Sequence, residues 1–325
     1  MLLRDRILVT GGAGFIGSEL VAQLCALNRR VIVVDNLATG LEENLEGLPV
    51  TLVHGDVRDP GPWRHLLDET STVYHLACLG VRHSIHSPLE NHDVNAGGTL
   101  AVLEAALRRG VDRFVHVSSS EVYGTAVRVP MAEDHPTSPE TPYGAAKLAG
   151  EAYARAYHRT YGLPVAIVRP FNTFGPRCHH EGASGEVIPR FLLRALAGRP
   201  LIVFGDGEQT RDFTWVSDTA QGIIAAGLVA DAVGCTLNLG SGREVSLLKL
   251  ARLIAGEHAG IVHQPERPGD VRRLIADSSE ARRVLGFAPR VELESGLAQL
   301  RSWYRRQRTS PQQLLAAEVV QNWII

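Results

Sequence analysis

The sequence predicts an α/β fold, a doubly wound parallel sheet with a smaller, interleaved carboxy-terminal lobe. Three observations carry that expectation. Short apolar runs alternate with longer helical patterns through the first half, the rhythm of parallel strands joined by right-handed crossovers. The first run empties into a glycine-rich turn, Gly11-Gly12-Ala13-Gly14-Phe15-Ile16-Gly17. After Arg169 the character shifts toward Gly, Pro and charge, and the helical patterns become short.

Taken in order, Ile7-Leu8-Val9 within residues 6–10 reads as a short buried strand, and a helical run follows over 18–27. Glycines at 11, 14 and 17 permit a tight turn, close approach of backbone to a pyrophosphate, and close packing of helix on sheet. The phosphate then meets free N–H groups at a helix start, which also places Phe15 and Ile16 beside it. The spacing is Gly-x-x-Gly-x-x-Gly rather than the commoner Gly-x-Gly-x-x-Gly. Its strand–turn–helix context makes the sheet Rossmann-type. The second strand, 30–34, ends in Asp35 with Asn36 behind it, 18 residues beyond Gly17. A carboxylate there accepts both hydrogen bonds from an adenosine ribose and repels a 2′-phosphate, so the expected cofactor is NAD rather than NADP.

Further strands are expected at 50–54, 73–76, 114–118 and 165–169, with helices at 99–109 and 144–161. Asp56-Val57 follows the third strand, where an acid can meet the adenine amino group. Leu76-Ala77 closes the fourth, and a small residue leaves room for cofactor. Pro170 ends the sixth. Asn95, near the start of the 97–109 helix, belongs either with the cofactor residues or with the local backbone. Residues 213–228 and 235–241 read as a helix and a strand returning to the main sheet. The expected division is therefore 1–174 plus about 213–241 for the NAD-binding part, and about 175–212 plus 242–325 for the lobe. Helical runs 187–197, 247–255, 279–285 and 294–305 lie in the second part.

The chemistry centres on Thr141-Pro142-Tyr143-Gly144-Ala145-Ala146-Lys147. Thr141 suits an N-cap and Pro142 a first helical residue. Tyr143 and Lys147, four apart, share one helix face. A free phenol, pKa about 10, is a poor base at neutral pH. The nearby cation and the positive helix end are expected to favour the phenolate.

With 325 residues, 45% of them hydrophobic, the chain can bury a large core. A formal charge of −2 without clustered basic runs argues against a nucleic-acid partner. No run approaches bilayer length, and Met1-Leu2-Leu3-Arg4 leads straight into a strand, so a cytosolic protein without membrane contact is expected. Cys25, Cys78, Cys178 and Cys235 fit no metal or disulfide spacing. His83-x-x-His86 and His179-His180 lack partners at ligand spacing, so no metal is expected.

The glycine turn, Asp35, Ser118-Ser119-Ser120-Glu121-Val122-Tyr123-Gly124 and Tyr143…Lys147 together resemble the extended short-chain dehydrogenase/reductase family. More narrowly, the chain is similar to nucleotide-sugar epimerases and dehydratases over about residues 5–305. Arg169-Pro170-Phe171-Asn172, Gly175-Pro176-Arg177, Gln209-Thr210-Arg211-Asp212-Phe213 and Arg267-Pro268-Gly269-Asp270 extend the match.

The resemblance implies transient oxidation at carbon 4 of a UDP-, dTDP- or GDP-hexose. Tyr143 and Ser119 act at the hydroxyl, and Lys147 at the nicotinamide ribose. It also implies diphosphate contacts from Asn172, Arg211 and Arg267, with Arg273 and Arg82 as further substrate contacts, and a homodimer through the 99–109 and 144–158 helices. Glu121 is the residue that selects the later step. In the dehydratases a glutamate there is the carbon 5 base, often after an aspartate, where this chain has Ser120. Glu121 could instead cap a turn or pair with an arginine, which leaves a 4-epimerase. A uronate decarboxylase would want a cation where Leu274-Ile275-Ala276 stands, and a non-catalytic NAD-binding protein would not need Tyr143, Lys147 and Ser119.

Overall fold

The computed structural model describes residues 5–182, 184–256, 260–321 and 323. The Met1-Leu2-Leu3-Arg4 segment, read as free of a signal sequence, lies outside the described residues, as do the last positions of the expected lobe.

The main sheet begins with β1 (Arg6–Thr10), helix α1 (Phe15–Ala26), β2 (Arg30–Asp35), β3 (Thr51–His54) and β4 (Thr70–His75). Helices α2 (Val81–His86) and α3 (Pro88–His92) lead through a π turn to α4 (Thr99–Arg109). Then come β5 (Arg113–Val117), α5 (Pro142–Tyr161) and β6 (Val165–Pro170). Beyond these the chain forms β7 (Asn172–Phe174), α6 (Val187–Leu196), β8 (Leu201–Phe204), β9 (Thr210–Trp215) and α7 (Val216–Leu228). It then returns to the main sheet as β10 (Thr236–Leu239). The remainder holds β11 (Glu244–Ser246), α8 (Leu247–Ala255), β12 (Ile261–Gln264), α9 (Ser279–Leu285), α10 (Leu293–Arg305) and α11 (Pro311–Leu314).

Seven parallel strands run in the order β10-β6-β5-β4-β1-β2-β3. Both faces are covered, which is why the strands read as continuous apolar runs. Alternate side chains enter different cores, as a period of two requires. Ile7 and Val9 pack with Leu20 and Leu24 of α1 and Ile223 of α7. Leu8 packs on the other face with Val102 and Leu103 of α4 and Ala154 of α5. The strand order reverses between β1 and β4, and the crevice at such a switch point is where ligands bind in this architecture.

The second part carries a three-stranded sheet, β11-β9-β7, and the parallel pair β12-β8. Its core joins Phe174, Phe191, Leu201, Phe213, Trp215, Leu250 and Leu300. Residues 213–228 are not one helix: Phe213–Trp215 completes β9, and the helix starts at Val216. The expected boundary at 212/213 therefore passes through a strand. Strand β9 also pairs with β7, which the expected NAD-binding part contains, so the two parts share a sheet. Among the described residues no helix is long and apolar enough to cross a membrane.

Candidate active site

A cavity of about 510 Å³ opens along the ends of β1, β2, β4, β5 and β6, within the range of small-molecule sites. Its floor is backbone. Gly11 has φ +72°, and a Cβ there would stand 2.6 Å from the Ala77 nitrogen, so the β1 turn and the end of β4 approach as only glycine permits. A Cβ at Gly17 would collide with the Gly11 carbonyl. Helix α1 starts at Gly14 with no side-chain cap, leaving its first N–H groups toward the cavity. Asp35, buried at the end of β2, accepts from Ala13 N and Leu37 N, both at 2.9 Å. A glycine cradle, an uncapped helix start and a fixed carboxylate fit a dinucleotide with an unphosphorylated ribose.

Phe15, Ile16, Asn36, Val57, Leu76, Ala77 and Pro170 line the same cavity. Asp56 is beside it rather than in its lining. The hydrogen bond from Arg58 pulls the Asp56 carboxyl down to about 2, and Asn36 donates to it at 3.0 Å. Asn95 is fully inside the protein. It accepts from Leu79 N at 2.8 Å and donates to Leu79 O and Asn91 Oδ1, both at 2.9 Å, so it organises the loop after β4 instead of facing cofactor.

The acid/base edge is assembled from β5 and α5. Thr141 caps α5 by accepting from Gly144 N at 3.2 Å, with Pro142 at the first turn. Tyr143 and Lys147 thereby face the cavity together with Ser119, Ser120 and Glu121. The electrostatics differ from the sequence expectation. Burial drives the Tyr143 phenol well up, Cys78 and Glu121 add to the rise, and its hydrogen bond with Ser119 is the influence holding it down. Lys147 Nζ donates to Val117 O at 2.6 Å, and burial lowers its own pKa. Desolvation thus dominates at the phenol in this state.

Glu121 also lines the cavity. Burial raises its carboxyl, against the opposing pull of Arg211 and Arg82. Its side chain is not spent on the turn: Ser119 Oγ accepts from Glu121 N at 3.2 Å, and that contact caps the short helical turn 120–122.

Across the cavity stand Asn172, Arg82, Arg211 and Arg267. Arg211 is held by Asp270 at 2.5 Å and by the Val271 carbonyl at 2.6 Å. Burial and the neighbouring Arg82 push Arg267 down to about 9, which leaves it charged at neutral pH. Asn172 Oδ1 and Arg267 Nε are buried without partners. Converging cations with unspent polar atoms are what a diphosphate requires. Arg273 does not join them. It is exposed and doubly paired with Glu244, at 2.5 and 2.9 Å, and its pairing with the end of β11 carries it away from the cavity.

Two features escape the sequence. Glu186, N-cap of α6, lines the cavity, and burial raises its carboxyl to about 7 while His179 pulls the other way. A carboxylate just before Val187-Ile188-Pro189 was the available signal. On the buried face of α5, Glu151 accepts from Ser118 Oγ at 2.5 Å and from both forks of Arg169 at 2.8 and 2.7 Å. Arg169 also donates to Tyr123 OH at 2.7 Å, and Tyr123 donates to Asn238 Oδ1 at 2.8 Å. This buried network fixes the helix that carries Tyr143 and Lys147.

Comparison with known proteins locates this arrangement. The description "NAD dependent epimerase/dehydratase family" fits residues 7–240. The chain is 39% identical to a UDP-glucose 4-epimerase of Mycolicibacterium smegmatis over 311 residues, covering 92% of this chain and 98% of that one. It is 37% identical to a dTDP-glucose 4,6-dehydratase of Actinoplanes, covering 94% and 99% respectively. Among solved structures, a dTDP-glucose 4,6-dehydratase of Streptomyces venezuelae crystallised with NAD superposes with a TM-score of 0.87. That protein is 36% identical, over 93% of this chain and 98% of its own.

Proposed function

Since the chain belongs to the NAD dependent epimerase/dehydratase family and is an NAD-dependent nucleotide-sugar-modifying enzyme, we propose that it is a 4,6-dehydratase acting on a UDP-, dTDP- or GDP-hexose. The observation that carries this reading is Glu121: an acid in the cavity, beside Tyr143 and facing two arginines, whose carboxyl burial raises above its ordinary value. A general base or acid works best with a pKa near the operating pH.

Gly11, Gly14, Gly17, Asp35 and Lys147 would hold NAD, which when bound would take a hydride from sugar carbon 4 and deliver it to carbon 6. Tyr143 takes the carbon 4 hydroxyl proton, with Ser119 on the same oxygen. Lys147 supports the charge that Tyr143 acquires. Glu121 removes the proton from carbon 5, which a carbon 4 ketone makes acidic, and passes it to the departing carbon 6 hydroxyl. Water leaves and a carbon 5–carbon 6 double bond forms. The hydride at carbon 6 and the proton first taken from the carbon 4 hydroxyl, added at carbon 5, then saturate it. Asn172, Arg82, Arg211 and Arg267 bind the diphosphate and orient the sugar; effective positioning of this kind supplies much of a rate enhancement.

The rival reading is a 4-epimerase, favoured by the 39% identical relative. We extend the proposal to a cytosolic homodimer joined through α4 and α5, where Tyr153 and Tyr161 stand exposed. A nucleotide-sugar panel read by mass spectrometry separates the readings. Loss of water supports the dehydratase, whereas unchanged mass with a new isomer overturns it in favour of the epimerase. In E121Q, dehydration should fall by about 10²–10⁴ while absorbance of reduced nicotinamide still develops. Full activity of that variant would remove Glu121 from the chemistry.

A further inference from the structure

Arg267 is the least conventionally held cation in the cavity wall. Asp270, the carboxylate that bears on it electrostatically, is bound by Arg211 at 2.5 Å. No carboxylate among the described residues forms a salt bridge with Arg267. Its guanidinium carbon instead lies 3.9 Å from the ring centroid of Phe204 and 5.4 Å from that of Trp323. The two rings meet edge to face, 4.9 Å apart at 88°.

Phe204 ends β8, whereas Trp323 arrives from more than a hundred residues later. The segment that brings it is moored at several points. Leu315 is buried in the second core. Glu318 takes both forks of Arg194 at 2.9 and 2.8 Å. Arg190 donates to Val319 O at 3.0 Å, and Gly182 N to Ala317 O at 3.0 Å. All of these partners lie on or beside α6, whose N-cap is the cavity residue Glu186.

The physical difference between an aromatic and an acidic holder decides the consequence. A carboxylate would occupy guanidinium N–H groups and cancel the charge. A ring face attracts the cation while leaving its donors unspent. Arg82, Arg190 and Arg211 all oppose further positive charge at Arg267, so a cation confined there without a counter-ion presents its potential to whatever anion enters.

We infer that Phe204 and Trp323 are positioning residues that hold Arg267 as a preset phosphate ligand, which makes Trp323 part of the substrate site. The ligand class, a nucleoside diphosphate, rests on the function proposed above. Confining a long side chain before binding lowers the ordering cost that the ligand would otherwise meet.

Calorimetric binding of UDP, dTDP and GDP to the NAD-loaded protein tests this. W323A should weaken the preferred diphosphate about 3- to 30-fold, the equivalent of a partly desolvated cation–π contact. W323F, which keeps a ring, should recover most of that loss. NAD affinity and kcat should not change, and KM for the sugar nucleotide should rise. In an R267Q background W323A should add nothing further. F204L should reproduce the pattern from the other ring, which covers the case that W323A does not fold. Wild-type affinity in W323A, or an equal loss with and without Arg267, overturns the inference and leaves only a structural tail. If the wild-type protein bound none of the three diphosphates, the proposed function would fall with it.

Discussion

The two walls of the cavity are built from different materials. On the sheet side, the cofactor-shaped half consists of backbone and strand ends: Gly11 against Ala77, the uncapped start of α1, and Asp35 tied to two main-chain N–H groups. On the opposite side, the arginine-lined half is made of long side chains from segments far apart, Arg82, Arg211 and Arg267, each held by a different device. Arg211 has a carboxylate and carbonyls, Arg267 has aromatic faces, and Arg82 is half-buried and feels the charges of Asp270 and Glu121. The contrast teaches that one wall, built of close backbone approaches, tolerates little change of shape, whereas the other rests on side-chain contacts between distant segments. Between them, α5 brings Tyr143 and Lys147 to the cavity and is fixed on its buried face by an ionic network through its own Glu151.

The sharpest way to break this picture is at the junction itself. Y143F removes the proton acceptor without changing shape, so kcat should fall about 10²–10⁴-fold with NAD binding retained, as followed by steady-state assay and cofactor titration. Retained activity would show that the junction lies elsewhere. Next in size is the support under α5. E151A leaves Arg169 buried without its carboxylate, and breaking such a pair costs about 3–5 kcal/mol, measurable by urea denaturation. A loss under about 1 kcal/mol would show that the network is not what fixes the helix.

A smaller effect separates the walls by pH. Glu186 titrates at about 7 in the fold and near 4.3 when unfolded. Between these values the folded state binds more protons, so this carboxyl costs stability as pH rises through that window, and the cost is complete above about 7. E186Q should therefore raise the melting temperature more at pH 8.5 than at pH 4.5. An equal change at both would mean that Glu186 is not held protonated by burial. Smallest of all, R273A removes an exposed pair with Glu244 and should shift stability by less than about 1 kcal/mol and leave diphosphate affinity unaltered. A clear rise in Kd would restore Arg273 to the substrate wall.

These expectations divide by how far apart in sequence the partners lie. Strand β1, its turn and α1 were legible because their signals are local: an apolar run, glycines, a helix start. The same holds for α5, where Thr141, Pro142, Tyr143 and Lys147 stand within seven residues. Helices 99–109, 247–255 and 279–285 were anticipated to the residue. Strands β7, β8, β9, β11 and β12 were not anticipated, because three to six residues of mixed character become strands only through partners elsewhere in the chain. Phe213–Trp215 looked helical beside Val216–Leu228 and became strand by pairing with Asn172–Phe174.

The amino-acid sequence by itself determined the parallel sheet, the glycine cradle, the acid at the end of β2 and the Tyr143–Lys147 pair, since each follows from neighbours a few residues apart. Tertiary structure alone decided the rest. Burial, which no local pattern reports, set the protonation leaning of Tyr143, Glu121 and Glu186. Packing of distant segments turned Arg273 outward to Glu244 and brought Trp323 to Arg267, and a contact between residues so far apart in the chain exists only once the fold has closed.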